Sequence, residues 1–95
     1  MSMDFSDALR QLKAGQRVAR AGWNGKGMWI CLGKGLDANP AQNFWNTHTR
    51  EHAEQNGGFA KVLPYIIMKT ADDAILMGWL ASQSDVLADD WELVQ

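Results

Sequence analysis

The sequence predicts an α+β fold: a single small domain over 1–95, with an antiparallel sheet of about five strands, an N-terminal helix and a polar insertion between strands. Three observations point there. Phe5, Ala8, Leu9 and Leu12 open the chain as one apolar stripe at helical spacing. Short β-prone runs follow, punctuated by Asn24-Gly25, Asn39-Pro40, Gly57-Gly58 and Asp72-Asp73. A chain of 95 residues also has room for one marginal core and no second domain.

Each element has a local cause. Residues 4–14 read as a helix, with Asp4 to cap it, Arg10 and Lys13 in its last turn, and Gly15 to end it. Gln16–Ala21 and Gly27–Gly33 read as strands of a hairpin turned at Asn24-Gly25. In the second strand Met28, Ile30 and Leu32 share one face, and Trp29 and Cys31 the other. Both faces are apolar, as in an inner strand or one packed on another subunit. Residues 34–60 form a polar excursion, with 36–59 as a variable insertion in which Ala41–Gln55 can be helical. Val62–Thr70 returns to strand character, with Ala74–Met77 as its partner across Asp72-Asp73. Ser82–Ala88 suits a helical turn capped by Ser82 or Ser84, and Asp90–Val94 a final strand with Trp91 and Leu93 on one face.

Composition removes whole classes of function. With 46% hydrophobic and 21% charged residues the chain is globular in type, not disordered. No apolar run approaches the roughly 18 residues of a membrane span, and Met1-Ser2-Met3-Asp4 has no signal-peptide character. A lone cysteine, Cys31, fits a reducing compartment, so the expected location is the cytoplasm. A net charge of −2 argues against DNA or RNA held by phosphate neutralisation. The charges are nonetheless segregated. Arg10, Lys13, Arg17, Arg20, Lys26 and Lys34 precede Leu36 without an intervening acid, whereas Asp72, Asp73, Asp85, Asp89, Asp90 and Glu92 follow Ala71 without a base. Such halves either attract one another or form two solvated faces.

No enzyme signature emerges. His48 and His52 share a helix face, but His-Thr-Arg-Glu-His is not the zincin order and lacks further ligands, so no metal site is expected. Ser82, Ser84 and Cys31 have no nucleophile elbow, and Gly25-Lys26-Gly27 and Gly33-Lys34-Gly35 lack the spacing of a phosphate loop. Neither a catalytic residue nor a cofactor is expected. Five tryptophans, Trp23, Trp29, Trp45, Trp79 and Trp91, exceed what so small a core absorbs. Trp23 beside Asn24, and Trp79 ahead of Ser82, Gln83 and Asp85, combine flat rings with polar groups that can hold a nucleobase. The plainer reading of both indoles is core or interface.

Two stretches then become familiar. Met3-Asp4-Phe5-Ser6-Asp7-Ala8-Leu9 with Leu12-Lys13-x-Gly15 and Val18-x-Arg20-x-Gly22-Trp23-Asn24-Gly25-Lys26-Gly27-Met28 form the first. Pro64-Tyr65-Ile66-x-Met68-Lys69-Thr70-Ala71-Asp72 and Trp79-x-x-Ser82-Gln83-x-Asp85-x-Leu87-Ala88-x-Asp90-Trp91 form the second. Together they resemble the Thoeris anti-defence sponges of the second type, a phage and prophage family, over about two-thirds of the chain. The resemblance implies a non-enzymatic, homotetrameric protein that binds the glycocyclic ADP-ribose immune signal where protomers meet, with cyclic oligonucleotides as a further ligand class in some members. It further implies a ligand site built from Trp23, Asn24 and Met28, from Lys69 and Thr70, and from Trp79, Ser82 and Asp85. Arg20 and Lys26 are the residues expected to meet a pyrophosphate. Asp73 stands where the family pattern leads one to expect a turn glycine, Ala81 where proline is common, and 36–59 carries no family motif. The competing expectation is a phage structural or adaptor protein that uses its tryptophans only for assembly.

Overall fold

The computed structural model describes residues 2–95, which divide into two compact units: residues up to Gly33 together with Tyr65–Gln95, and the intervening Lys34–Pro64. The first unit is an α+β structure, as the sequence predicts. Helix α1 (Phe5–Lys13) is followed by β1 (Arg17–Arg20) and β2 (Trp29–Gly33). The second unit holds β3 (Leu36–Pro40), a 3-10 turn (Ala41–Asn43), α2 (Thr47–Gln55) and β4 (Phe59–Val62). The chain then returns to the first unit with β5 (Tyr65–Lys69), β6 (Ile75–Met77), α3 (Gln83–Leu87) and β7 (Trp91–Val94).

In the first unit five antiparallel strands lie in the order β6-β5-β2-β1-β7. The register pairs Val18 with Ile30, Ile30 with Met68, and Val18 with Leu93. Helix α1 packs on β1, β2 and β7, because its apolar stripe needs a sheet face to cover. Ala8, Leu12, Val18, Ile30, Met68 and Trp91 form the core. Asp4 caps the helix by accepting from the Asp7 N–H at 2.9 Å, and Gly15 leaves it at φ +90°.

The connection between β1 and β2 is longer than the expected Gly22–Lys26 and does not turn tightly at Asn24-Gly25. It spans residues 21–28, and neither Asn24 nor Gly25 has the positive φ that a tight turn there demands. Gly25 serves another purpose. A Cβ there would come within 2.6 Å of Met28 Sδ and 2.7 Å of Ala71 Cβ, so the glycine permits close approach. The β5–β6 turn, by contrast, is the tight one that was expected. Asp73 adopts φ +68°, the left-handed conformation that suits a glycine.

In the second unit β3 and β4 pair antiparallel from Leu36–Val62 to Pro40–Phe59 through an irregular register. Neither this pairing nor a break inside Ala41–Gln55 is evident in the sequence. The helix begins only at Thr47, because Asn46 turns its side-chain oxygen onto the N–H groups of His48 and Thr49, at 2.9 and 3.3 Å. Ala41 and Ala53 are the buried residues of this unit.

Candidate functional site

The richest chemistry lies around Asp85, at the start of α3. Ser82 and Asp85 form a reciprocal capping box: the Asp85 N–H donates to Ser82 Oγ at 3.1 Å, while Ser82 N–H and Oγ–H donate to Asp85 Oδ2 at 3.0 and 2.8 Å. Oδ1 accepts from Trp23 Nε1–H at 3.0 Å and from the Arg20 guanidinium at 2.9 Å. Both carboxylate oxygens are thus filled by the chain's own donors. Burial pushes the Asp85 carboxyl up, but hydrogen bonds from Trp23, Arg20 and Ser82 outweigh it and hold its pKa at about 2.

Arg20 extends the network. Its Nε donates to Asp90 Oδ1 at 2.8 Å, and Asp90 Oδ2 accepts from the Gly22 N–H at 2.7 Å. The guanidinium bond comes first in lowering the Asp90 pKa, and the bonds to both acids hold Arg20 in its charged form. The basic first half and acidic last half of the chain therefore meet at a specific, half-buried site. Arg20 on β1 is 65 and 70 residues from its two partners.

Three indoles gather on this frame. Trp23 stands edge-on to Trp79 at 6.0 Å between centroids and to Trp91 at 5.4 Å. Trp91 is fully buried, while Trp23 and Trp79 are half-buried against the core. Both turn-borne rings thus pack against the core, in line with the plainer reading of them, while each keeps part of its surface exposed. Trp29 is also half-buried, with the Arg17 guanidinium 5.3 Å from its ring centroid, whereas Trp45 in the second unit is 91% exposed.

The other expected site residues form a second group. Lys69 Nζ donates to the Gly27 carbonyl at 3.0 Å and pairs with Asp73 at 2.8 Å, tying the 21–28 loop to the end of β5. Met28 is half-buried where that loop crosses Gly25 and Ala71. Thr70 Oγ1 is occupied by its own turn, donating to Asp72 and accepting from the Ala74 N–H at 2.9 Å. Asn24 and Lys26 are exposed on the loop that joins the two groups. Asp90 was not among the expected site residues. Its adjacency to Trp91 was visible in sequence, but its bond to Arg20 depends on the β1–β7 pairing.

Two clefts are lined by other residues: one of about 430 Å³ by Met3, Gln11, Glu92, Leu93 and Gln95, and one of about 390 Å³ within the second unit, by Lys34, Leu36, Asp37 and Lys61 among others. His48 and His52 are both exposed on α2, and no cluster of three metal-ligating side chains occurs among the described residues. Nor is any described helix long and apolar enough to cross a membrane.

This α+β unit, with its carboxylate-held indoles, falls in a recognised class. The model of the Tad2-like, Thoeris anti-defense 2-like domain matches residues 3–94, and the chain belongs to that family. It is similar to Thoeris anti-defense 2 of Bacillus phage SP01, with 41% identity over 95 residues that span 97% of this chain and 94% of that protein.

Proposed function

We propose that the protein is a phage anti-defence sponge. It binds a cyclic nucleotide immune signal, glycocyclic ADP-ribose first and cyclic oligonucleotides second, and withholds it without cleavage. Membership of the anti-defence family across almost the whole chain is the observation that carries this reading. The site supports it with a partly exposed indole, Trp79, set against Trp23, and with exposed Asn24 and Lys26 on the neighbouring loop.

The ten expected residues divide by role in this proposal. Trp79 stacks on a base, Asn24 reads polar edges, Lys26 meets phosphate and Met28 lines the pocket. Arg20, Trp23, Ser82 and Asp85 frame the indoles, and Lys69 and Thr70 fix the loop and turn. In this reading the ligand is enclosed between protomers of a homo-oligomer, a tetramer.

Mixing the protein with glycocyclic ADP-ribose, removing free ligand and then heat-denaturing the protein tests the proposal. A sponge depletes the ligand and returns it intact. Fragments would instead indicate a hydrolase, and an undepleted solution would favour an adaptor with structural tryptophans.

A further inference from the structure

We propose that strand β6 is the seam at which two copies of this chain join edge to edge, about a two-fold axis at Leu76. The two outer strands of the sheet are finished very differently. At the β7 edge, Met3 exchanges hydrogen bonds with Trp91, N–H to carbonyl at 2.7 Å and 3.1 Å in the two directions, and Glu92 adds a charge. At the β6 edge no strand among the described residues lies beyond Ile75–Met77, and the run Ala74–Ala81 carries no charged residue and no proline. Isolated proteins blunt open edges with charge, proline or a covering segment. This edge is short, at three residues, but carries no charge and no proline.

The backbone parity of β6 suits pairing with itself. The Thr70 N–H donates to the Ala74 carbonyl at 2.8 Å, which makes that pair a hydrogen-bonded one. Alternation along the ladder makes Met68–Leu76 the next bonded pair, and leaves Lys69–Ile75 and Ile67–Met77 unbonded. The N–H and carbonyl groups of Ile75 and Met77 therefore point outward, away from β5. In an antiparallel self-pair, Ile75 of one copy bonds Met77 of the other, and the two Leu76 residues face each other. Four outward groups on each strand are satisfied by their own equivalents, as an isologous two-fold interface requires.

The apolar surface is of the right size. Ile75, Leu76, Met77 and Leu80 are 56%, 46%, 55% and 91% exposed. Those four residues expose roughly 500 Å² per copy, so a two-fold seam over them can draw on up to about 1,000 Å², the threshold of a specific interface. Paired this way, the two sheets become one continuous sheet with β7 at each outer edge. The seam rests on the oligomeric part of the proposed function and not on its ligand.

Cysteine cross-linking tests the seam at one residue. In a Cys31→Ser background, Leu76→Cys places two thiols on a non-hydrogen-bonded antiparallel pair, whose Cα atoms lie about 4.5 Å apart. That distance is within the disulfide range of about 4.4–6.8 Å, so mild oxidation is expected to yield at least about tenfold more covalent dimer than Ile75→Cys, which faces Met77 of the other copy. Both variants are to be compared as cooperatively melting proteins, alongside light scattering of the unsubstituted chain. Equal cross-linking of the two variants, an oligomer in which Leu76→Cys stays unlinked, or a monomer at micromolar concentration would each overturn the seam. A monomer that still depletes ligand and returns it intact would do so while leaving sequestration standing.

Discussion

The Trp91 indole N–H donates to the main-chain carbonyl of Asp85 at 2.9 Å, inside the core. The same residue's carboxylate holds the Trp23 indole, so one aspartate at the start of α3 orients two rings through two different groups. A short helix of five residues, too small to be stable alone, is thereby anchored to both sides of the aromatic cluster.

Acid should loosen this anchor. The Asp85 pKa is depressed to about 2 in the folded chain from an ordinary value near 3.8, so the stability it contributes is present above pH about 4 and is lost as pH falls toward 2. Asp85 is only 7% exposed, and the linkage is worth about 2 kcal/mol. Denaturant melts between pH 2 and 6 should show this loss in the unsubstituted protein and a flatter acid limb in Asp85→Asn. That variant should itself be about 2–3 kcal/mol less stable at pH 7, because Arg20 loses one of two acids.

The tryptophans should separate by burial. Trp91→Ala removes a fully buried ring with a satisfied N–H and should cost about 3–5 kcal/mol in chemical denaturation. Trp45→Ala, at 91% exposure, should change stability by no more than about 0.5 kcal/mol. Trp23→Ala should fall between them, since the ring is half-buried and its loss leaves Asp85 with one fewer donor.

Asp73→Gly should be a stabilising substitution. Glycine adopts φ +68° without the Cβ crowding that costs an ordinary residue about 1 kcal/mol. The Lys69–Asp73 ion pair, in which Asp73 is 84% exposed and Lys69 half-buried, is given up in exchange and is worth less than about 1 kcal/mol. A thermal midpoint a few degrees higher is expected, and an unchanged or lower one would show that the ion pair dominates the turn.

Gly33→Ala should be poorly tolerated, although Gly33 has an ordinary φ. An added Cβ would lie 2.6–2.9 Å from the Tyr65 ring, which covers the glycine across the β2–β5 pair. Combining it with Tyr65→Ala should recover part of the lost stability in a double-mutant cycle.

The sequence makes legible whatever rests on local periodicity. The Phe5–Leu12 stripe marks α1, Asp4 and Ser82 mark the helix starts, and Trp91 marks the last strand. The pairing of Leu36–Pro40 with Phe59–Val62 is hidden because Asp37, Asn39 and Pro40 interrupt any strand alternation. The site is legible as residue types and obscure as roles. Asp85 reads equally as a ligand carboxylate or a helix cap, and only the 65-residue bridge to Arg20 and the bond to Trp23 reveal how fully it is occupied. Half-burial of Trp79 against full burial of Trp91 is likewise a property of the assembled sheet, beyond the reach of any sequence window.

The pairing of Gly33 with Tyr65 fixes how the intervening segment is attached. The chain leaves the sheet at one of these residues and re-enters at the other, directly across the ladder. Everything from Lys34 to Pro64 hangs from that single doorway as a cassette. A change in the cassette's length therefore reaches the sheet at one point only, the Gly33–Tyr65 rung that closes the β2–β5 ladder.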